Sequence, residues 1–316
     1  MLNQNILDII VKVYHFFIPI EVRKKMKPML NRYILCENRA LYRDIKASKK
    51  RGDMVGYEKE CNYIQKNGLH CIPYSFIEEY LYMNVDVLYD DEEMKHYVMH
   101  NGKRLFYPRD YSVDRIIELY RQVRYEQDVR SPHFYWNSLN KPVQGDIFVD
   151  VGAAEGLVAL DYIQEMSKVY IIECEERWVD ALRATFKPYK EKAIIIPALC
   201  GEHVESRQSA ITLDYLLGSE TSPIVIKMDI EGGELKALRG ASMVLKRSNT
   251  KLAVTTYHTN DAAKELYEYL DLLGYKCEWS NGYMLFVYDH NTKYPYFRRG
   301  ILCASRNEDG IRKIMY

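Results

Sequence analysis

The chain lacks any paired cysteine spacing. Its seven cysteines in 316 residues are an odd number, with no CxxC pair and no Cys/His set at metal-ligand spacing, which excludes a disulfide framework and a structural zinc module of the familiar kind. A reducing, cytoplasmic compartment is the simplest inference. Cys174, Cys200 and Cys277 fall in or beside apolar strand-like runs and read as small core hydrophobes. A surplus of charge of either sign is missing too: 44 Lys and Arg balance 44 Asp and Glu. No nucleic-acid partner is expected from that balance. Internal repeats and low-complexity tracts are absent. So is a long apolar run. The apolar stretch 6–20 is interrupted by Asp8, Lys12 and His15, contains Pro19, and has no small-residue cleavage site after it, so it is too short and too polar to span a membrane. A basic group follows it: Arg23, Lys24, Lys25, Lys27 and Arg32. An apolar helix beside such a group can lie on an anionic membrane surface. It can equally pack on its own domain with the basic face in water, which is the preferred reading. A peripheral contact of residues 1–32 with the inner face of the membrane stays open.

What is present is a large apolar fraction, 47% of residues, enough for a sizeable core. The 28 tyrosines combine apolar area with a polar tip and suit grooves and interfaces as well as cores. Three regions are expected. Residues 1–70 read as a helical N-terminal extension, broken near Pro19, Pro28 and the Arg51-Gly52-Asp53 turn. Residues 71–140 read as a mixed α/β cap or connecting region. It contains an acidic turn at 90–93, a hairpin around Asn101-Gly102 and a helix over 113–125. Residues 141–316 alternate strand and helix. Strands are expected at 147–151, 169–174, 193–200, 224–230 and 252–257, with a closing strand pair, 275–279 and 283–288, around Asn281-Gly282. Helices are expected at 154–166, 176–186, 211–217, 233–246 and 262–273. Repeated strand–helix units imply a parallel sheet with helices on both faces.

Two motifs stand at strand ends in this region. Asp150-Val151-Gly152-Ala153-Ala154-Glu155-Gly156 joins a strand to a helix. Gly152 permits a tight turn and close backbone approach to a ligand, and Gly156 relieves crowding between helix and strand. Ala154 occupies the place of the second glycine in a dinucleotide-binding loop, which weakens a nicotinamide reading. About twenty residues on, Glu173 ends the second strand, where an acid can accept hydrogen bonds from both hydroxyls of a ribose. Glu175 and Glu176 are read as solvated charges favouring a helix start.

A third motif is the most specific: Lys227-Met228-Asp229-Ile230-Glu231-Gly232-Gly233-Glu234-Leu235, continuing to Leu238-Arg239-Gly240-Ala241. It resembles the FkbM-type S-adenosylmethionine-dependent methyltransferase family, whose pattern reads K-x-D-x-E-G-x-E-x-x-x-L-x-G-A. Asp150 to Ala153 resembles that family's first motif, and Glu173 its acid after the second strand, although Cys174 and Glu175 depart from its more usual residues. Tyr107-Pro108-Arg109 and the runs 126–128 and 131–133 are similar to a bacterial subgroup. The likeness covers about 145–289.

The resemblance implies a Rossmann-like class I methyltransferase fold, an α/β architecture with a seven-stranded, mostly parallel sheet and an antiparallel last strand. The closing strand pair suits it better than an all-parallel dehydrogenase sheet. It implies S-adenosylmethionine as cofactor, lying across the strand ends at the switch in strand order. Gly152 and Ala153 would let main chain approach its amino-acid part, with Gly156 also among the cofactor contacts; Asp150 and Asp229 would face its ammonium, Glu173 would hold its ribose, and Leu199 or Cys200 would border its adenine. His258, at the end of the fifth strand, is the candidate base, because histidine titrates near working pH; a structural histidine capping the next helix is the alternative. Asp229 is the second candidate in the catalytic step. Glu231, Tyr257 and His133 are candidate substrate contacts, and His133 with Gln127 precedes the first strand in a segment suited to cover the cofactor. Asp229, Glu231 and Glu234 form a carboxylate cluster suited to a divalent metal, to substrate hydroxyls or to an ammonium; a metal is not favoured, since Glu234 in a first helical turn is favourable without one. The family likeness points to O-methylation of a sugar hydroxyl on a glycan or related small-molecule acceptor. A nicotinamide-dependent oxidoreductase and a non-catalytic membrane-surface scaffold are the competing readings.

Overall fold

The structure, a computed structural model, describes residues 39–204, 210–247, 249–287, 289 and 292–306. The expected breaks at Pro19 and Pro28, the basic group 23–32 and the membrane contact of 1–32 lie outside those residues. Among the described residues no helix is long and apolar enough to cross a membrane. The chain divides into two compact units, Met1–Leu69 and His70–Tyr316. In the first, a helix over 39–51 ends at the Gly52 turn. A second helix, Glu58–Asn67, follows and turns Cys61 and Ile64 inward.

The second unit begins with an antiparallel sheet of β1 (Val87–Asp90), β2 (Lys95–His100) and β3 (Lys103–Phe106). Asn101 and Gly102, both at positive φ, close β2 onto β3 with His100 opposite Lys103, the two-residue turn that matches strand twist. β1 is an addition to the expected elements. It is an edge strand with Leu88 and Tyr89 exposed, so it carries no alternating pattern to read. The helix Val113–Glu126 is capped by Ser112, whose side chain accepts from the Arg115 N–H at 3.2 Å.

Among the described residues the main sheet has seven strands, in the order β11–β12–β10–β9–β4–β5–β6. They are β4 (Ile147–Val151), β5 (Lys168–Glu173), β6 (Ala193–Pro197), β9 (Ile224–Met228), β10 (Thr250–Thr255), β11 (Lys276–Trp279) and β12 (Ile301–Ser305). β12 runs antiparallel to both of its neighbours, while β4, β5, β6, β9 and β10 pair in parallel. This is the Rossmann-like class I methyltransferase arrangement expected. β4 and β9 are buried along their whole length, as strands covered on both faces must be. Phe148, Val225 and Ala253 join the core on one face with Leu157 and Leu182. Val149, Ile226 and Leu252 join the other with Leu238 and Leu266. The strand order reverses at β4 and β9, so the crevice at their C-terminal ends is the natural ligand site.

Several elements differ from expectation, among them the helix expected over 154–166, which spans Leu157–Tyr162. The strand expected over 193–200 stops at Pro197, which has no N–H to continue a ladder; β7 (Leu199–Cys200) pairs instead with β8 (Ala210–Ile211) in a separate two-stranded ladder. The helix expected over 233–246 is Glu234–Arg239 followed by a 3-10 turn, Val244–Lys246, and the freed N–H groups of Met243 and Val244 donate to the Asp214 carboxylate at 2.9 and 2.8 Å. Among the described residues the last strand is Ile301–Ser305, and not within 283–287 as expected. The Tyr283 N–H donates to the Tyr74 hydroxyl at 2.8 Å and the Leu285 N–H to the Cys71 carbonyl at 2.9 Å. Those donors are therefore spent on the start of the unit, and the wholly buried Ile301–Ser305 takes the place between β10 and β11.

Candidate active site

The loop after β4 is fixed by its neighbours. Gly152 has φ +76°, and a Cβ there would stand 1.9 Å from the Asp229 carbonyl oxygen. The loop thus presses on the end of β9 where only glycine fits. The Gly152 N–H donates to the Ile172 carbonyl at 2.9 Å. Ala153 is buried beside it. The Ala154 N–H donates to Glu173 Oε2 at 2.9 Å, while Glu173 Oε1 accepts from the N–H groups of Cys174 and Glu175 at 2.7 and 2.9 Å. Glu173 is therefore a buried, rigidly held carboxylate beside the glycine loop, and its remaining lone pairs can accept from ribose hydroxyls.

Gly156, expected among the cofactor contacts, is governed by packing: a Cβ there would lie 2.5 Å from Leu182 Cδ2 and 3.0 Å from Phe186 Cε2. Gly156→Ala is expected to lower the unfolding free energy by about 1–3 kcal/mol, read from a urea midpoint. Leu199 sits 39% exposed on the short β7 ladder. Beside it burial pushes the Cys200 thiol up to about 12.

Asp150, expected to face the cofactor's ammonium, is only 1% exposed and has a different partner. Lys227 Nζ lies 2.8 Å from Asp150 Oδ1 and donates to the Gly152 carbonyl at 2.6 Å. Adjacent strands place both side chains on one face, because Asp150 and Lys227 are register partners. Burial pushes the Asp150 carboxyl up, opposed by Lys227. Burial likewise disfavours the Lys227 ammonium, but Asp150 and Asp229 outweigh it and hold Lys227 above the ordinary lysine range.

Two residues along the same strand face, Asp229 is the hub of the crevice. Its Oδ2 accepts from the Tyr135 hydroxyl at 2.9 Å and lies 3.3 Å from His133 Nε2; its Oδ1 lies 3.4 Å from His258 Nε2. The Tyr257 hydroxyl is 3.5 Å from both oxygens and 3.0 Å from His133 Nε2. Burial alone would raise the Asp229 carboxyl, but His133, His258 and Lys227 hold it well below the usual carboxylate range. On the far side, His258 Nδ1 is 2.9 Å from Glu234 Oε1, an ion-pair contact without the alignment of a hydrogen bond. Glu234 is itself held by the N–H groups of Ile230 and Gly232 and by the Thr255 hydroxyl. Burial disfavours a charged His258, yet Glu234 and Asp229 prevail and raise its pKa.

The structure thus gathers His258, Asp229, Tyr257 and His133, with the Gln127 amide donating to the His133 carbonyl at 3.4 Å. Glu231 adds its charge to those of Glu234 and Asp229 in raising the His258 pKa. It is exposed, at φ +58°, in the turn between β9 and the helix. Asp229, Glu234 and His258 offer ligand atoms within 4.8 Å of one another, close enough for a divalent cation. A protonated imidazole between two carboxylates balances the charge without one.

Four further residues belong to this crevice. Lys227 was visible in the third motif, since strand alternation puts it on the Asp229 face. Glu155 lies within the first motif, whereas Tyr135 and Glu126 gave no local signal and arrive from different elements. Burial raises the Glu126 carboxyl and pushes Glu155 up to about 7, with Glu126 adding to the latter.

Residues 150–277 match the family model of the Methyltransferase FkbM domain. This stretch carries an FkbM-type methyltransferase domain, and the resemblance read from the motifs is borne out. No curated protein matches the chain. Among solved structures it is similar to the methyltransferase FkbM of Methylobacillus flagellatus, at 20% identity and a TM-score of 0.42, over 60% of this chain and 52% of that one. The precorrin-6y C5,15-methyltransferase of Geobacter metallireducens aligns at 16% identity and a TM-score of 0.36, over 52% of this chain and 84% of that one. A Streptococcus mutans protein solved in complex with SAH (S-adenosylhomocysteine) aligns at 13% identity and a TM-score of 0.34, over 51% of this chain and 89% of that one. The chain spans about half the length (52%) of the Methylobacillus protein.

Proposed function

We propose that the protein methylates a hydroxyl group, using S-adenosylmethionine, on a sugar of a glycan or a related metabolite. The observation that carries this reading is His258 held between Asp229 and Glu234 at the switch-point crevice, beside the glycine loop and Glu173. When bound, the cofactor supplies an electrophilic methyl on a cationic sulfonium. The residues suit such a ligand: the Glu173 and Asp229 carboxylates line the crevice, which favours a sulfonium and an ammonium and disfavours the pyrophosphate of a nicotinamide dinucleotide. Ala154, with a Cβ at φ +46°, disfavours that pyrophosphate again.

Glu173 would hold the ribose, Gly152 and Ala153 would admit main chain to the amino-acid part, and Asp229 would face the ammonium. Neutral His258 would take the acceptor's hydroxyl proton as the oxygen lone pair attacks the methyl carbon and the carbon–sulfur electrons return to sulfur. Tyr257 and His133 would position the acceptor, and the Phe286 ring, edge-on to His258 at 5.4 Å, would help to keep water out.

Titration calorimetry with SAH and with NAD tests the class. SAH binding without NAD binding is expected; tight NAD binding without SAH binding overturns the reading. Glu173→Ala is expected to weaken SAH by about tenfold or more, the scale of a hydrogen bond to a charged group, while saturating donor restores most of the turnover. Loss of turnover at unchanged SAH affinity would assign Glu173 elsewhere.

A further inference from the structure

We propose that Lys227 is a positioning residue that sets the glycine loop for donor binding, and that Asp150 is the buried counter-charge of Lys227 and makes no contact with the donor. The inference rests on the methyltransferase reading. Its geometry is local. The end of β9 holds the loop from two sides: the Lys227 ammonium donates to the Gly152 carbonyl at 2.6 Å, and the Asp229 carbonyl oxygen lies 1.9 Å from where a Gly152 Cβ would be. With its carbonyl turned inward, the loop leaves the next N–H groups to reach the β5 end, Ala153 to the Ile172 carbonyl and Ala154 to Glu173. The orientation of the loop is thereby tied to the carboxylate proposed for the ribose.

Lys227 also sits 5.4 Å from the centre of the Tyr135 ring, whose hydroxyl donates to Asp229. One ammonium therefore touches the first-motif acid, the loop carbonyl and the ring that orients the hub carboxylate. Asp150 has both oxygens buried, and its near neighbour is that ammonium. A buried ion pair is no better for stability than a well-packed apolar pair. An apolar pair, however, cannot hold the Gly152 carbonyl.

Three variants of the full chain separate the roles, each measured by its urea midpoint and by calorimetric SAH affinity. Lys227→Met leaves Asp150 buried and uncompensated, so both quantities should fall. Lys227→Met with Asp150→Asn removes the charge conflict: the midpoint should recover, while SAH stays about tenfold weaker or more, because the loop carbonyl is still ungripped. Asp150→Asn alone leaves the buried Lys227 ammonium without its nearest counter-charge, so the midpoint should fall, but the ammonium stays on Gly152 and SAH should bind as it does to the unaltered protein. Recovery of SAH affinity in the double variant overturns the proposal. So does a tenfold loss in Asp150→Asn, which would put the carboxylate on the donor. Failure of the unaltered protein to bind SAH overturns the methyltransferase reading and this inference with it.

Discussion

Replacing His258 by asparagine is expected to slow methyl transfer by about a hundred- to ten-thousandfold, the usual worth of a positioned base, with SAH affinity little changed. The reason lies in where the imidazole stands. Both of its nitrogens face carboxylates, 3.4 Å from Asp229 and 2.9 Å from Glu234, and those charges raise its pKa against the opposing effect of burial. Only the neutral ring can accept a proton, so the rate of the unaltered protein should climb with pH through a limb above the ordinary histidine value of about 6.5. Stability runs the other way. A raised folded pKa means that the charged contact stabilises the fold fully below the unfolded pKa, and that this contribution is lost as pH rises through the folded one. Glu234→Gln removes one of the raising charges and should move the kinetic limb to lower pH. A pH–rate profile at saturating donor, run on these variants, measures both effects. If His258→Asn keeps most of its rate and the same limb, the base is another group.

The alternating core of the fold was legible because β4, β5 and β9 are buried on both faces and read as continuous apolar runs between helices. What local patterns could not show was competition for backbone donors. Asn281-Gly282 is a sound hairpin signal, yet Tyr283 gives its N–H to Tyr74, 209 residues away in sequence. The strand that then closes the sheet, Ile301–Ser305, comes later in the chain. The candidate site divides in the same way. Gly152, Glu173, Asp229 and His258 stand at strand ends within short motifs, and the chain brings them together where the strand order predicts. From its own strand Asp150 reads as a ligand contact; Lys227 becomes its neighbour only through the β4–β9 register. Tyr135 and Glu126 reach the crevice from segments outside the strand–helix repeat, so no spacing rule marks them.

Gly152→Ala is expected to be the most damaging single methyl group that can be added to this crevice. At φ +76° any Cβ is strained, at a cost of about 1–2 kcal/mol, and here it would also stand 1.9 Å from the Asp229 carbonyl oxygen and 2.9 Å from the carbonyl carbon. Both are main-chain atoms at the end of a central strand, so no side chain can swing aside. Relief requires the loop to lift from β9, which breaks the Lys227 contact with the Gly152 carbonyl and strains the bond from the Asp229 N–H to the Val151 carbonyl. Together these effects should lower the unfolding free energy by about 2–4 kcal/mol and remove measurable SAH binding. Gly232→Ala separates crowding from strain. Gly232 has φ +91°, but the nearest heavy atom to its added Cβ is 3.8 Å away, on Thr259. It should cost only the conformational part, about 1 kcal/mol. Equal losses of stability in the two variants would mean that the close approach of loop and strand does not set the requirement for glycine at 152, and that the loop has room to take a Cβ without leaving the donor's place.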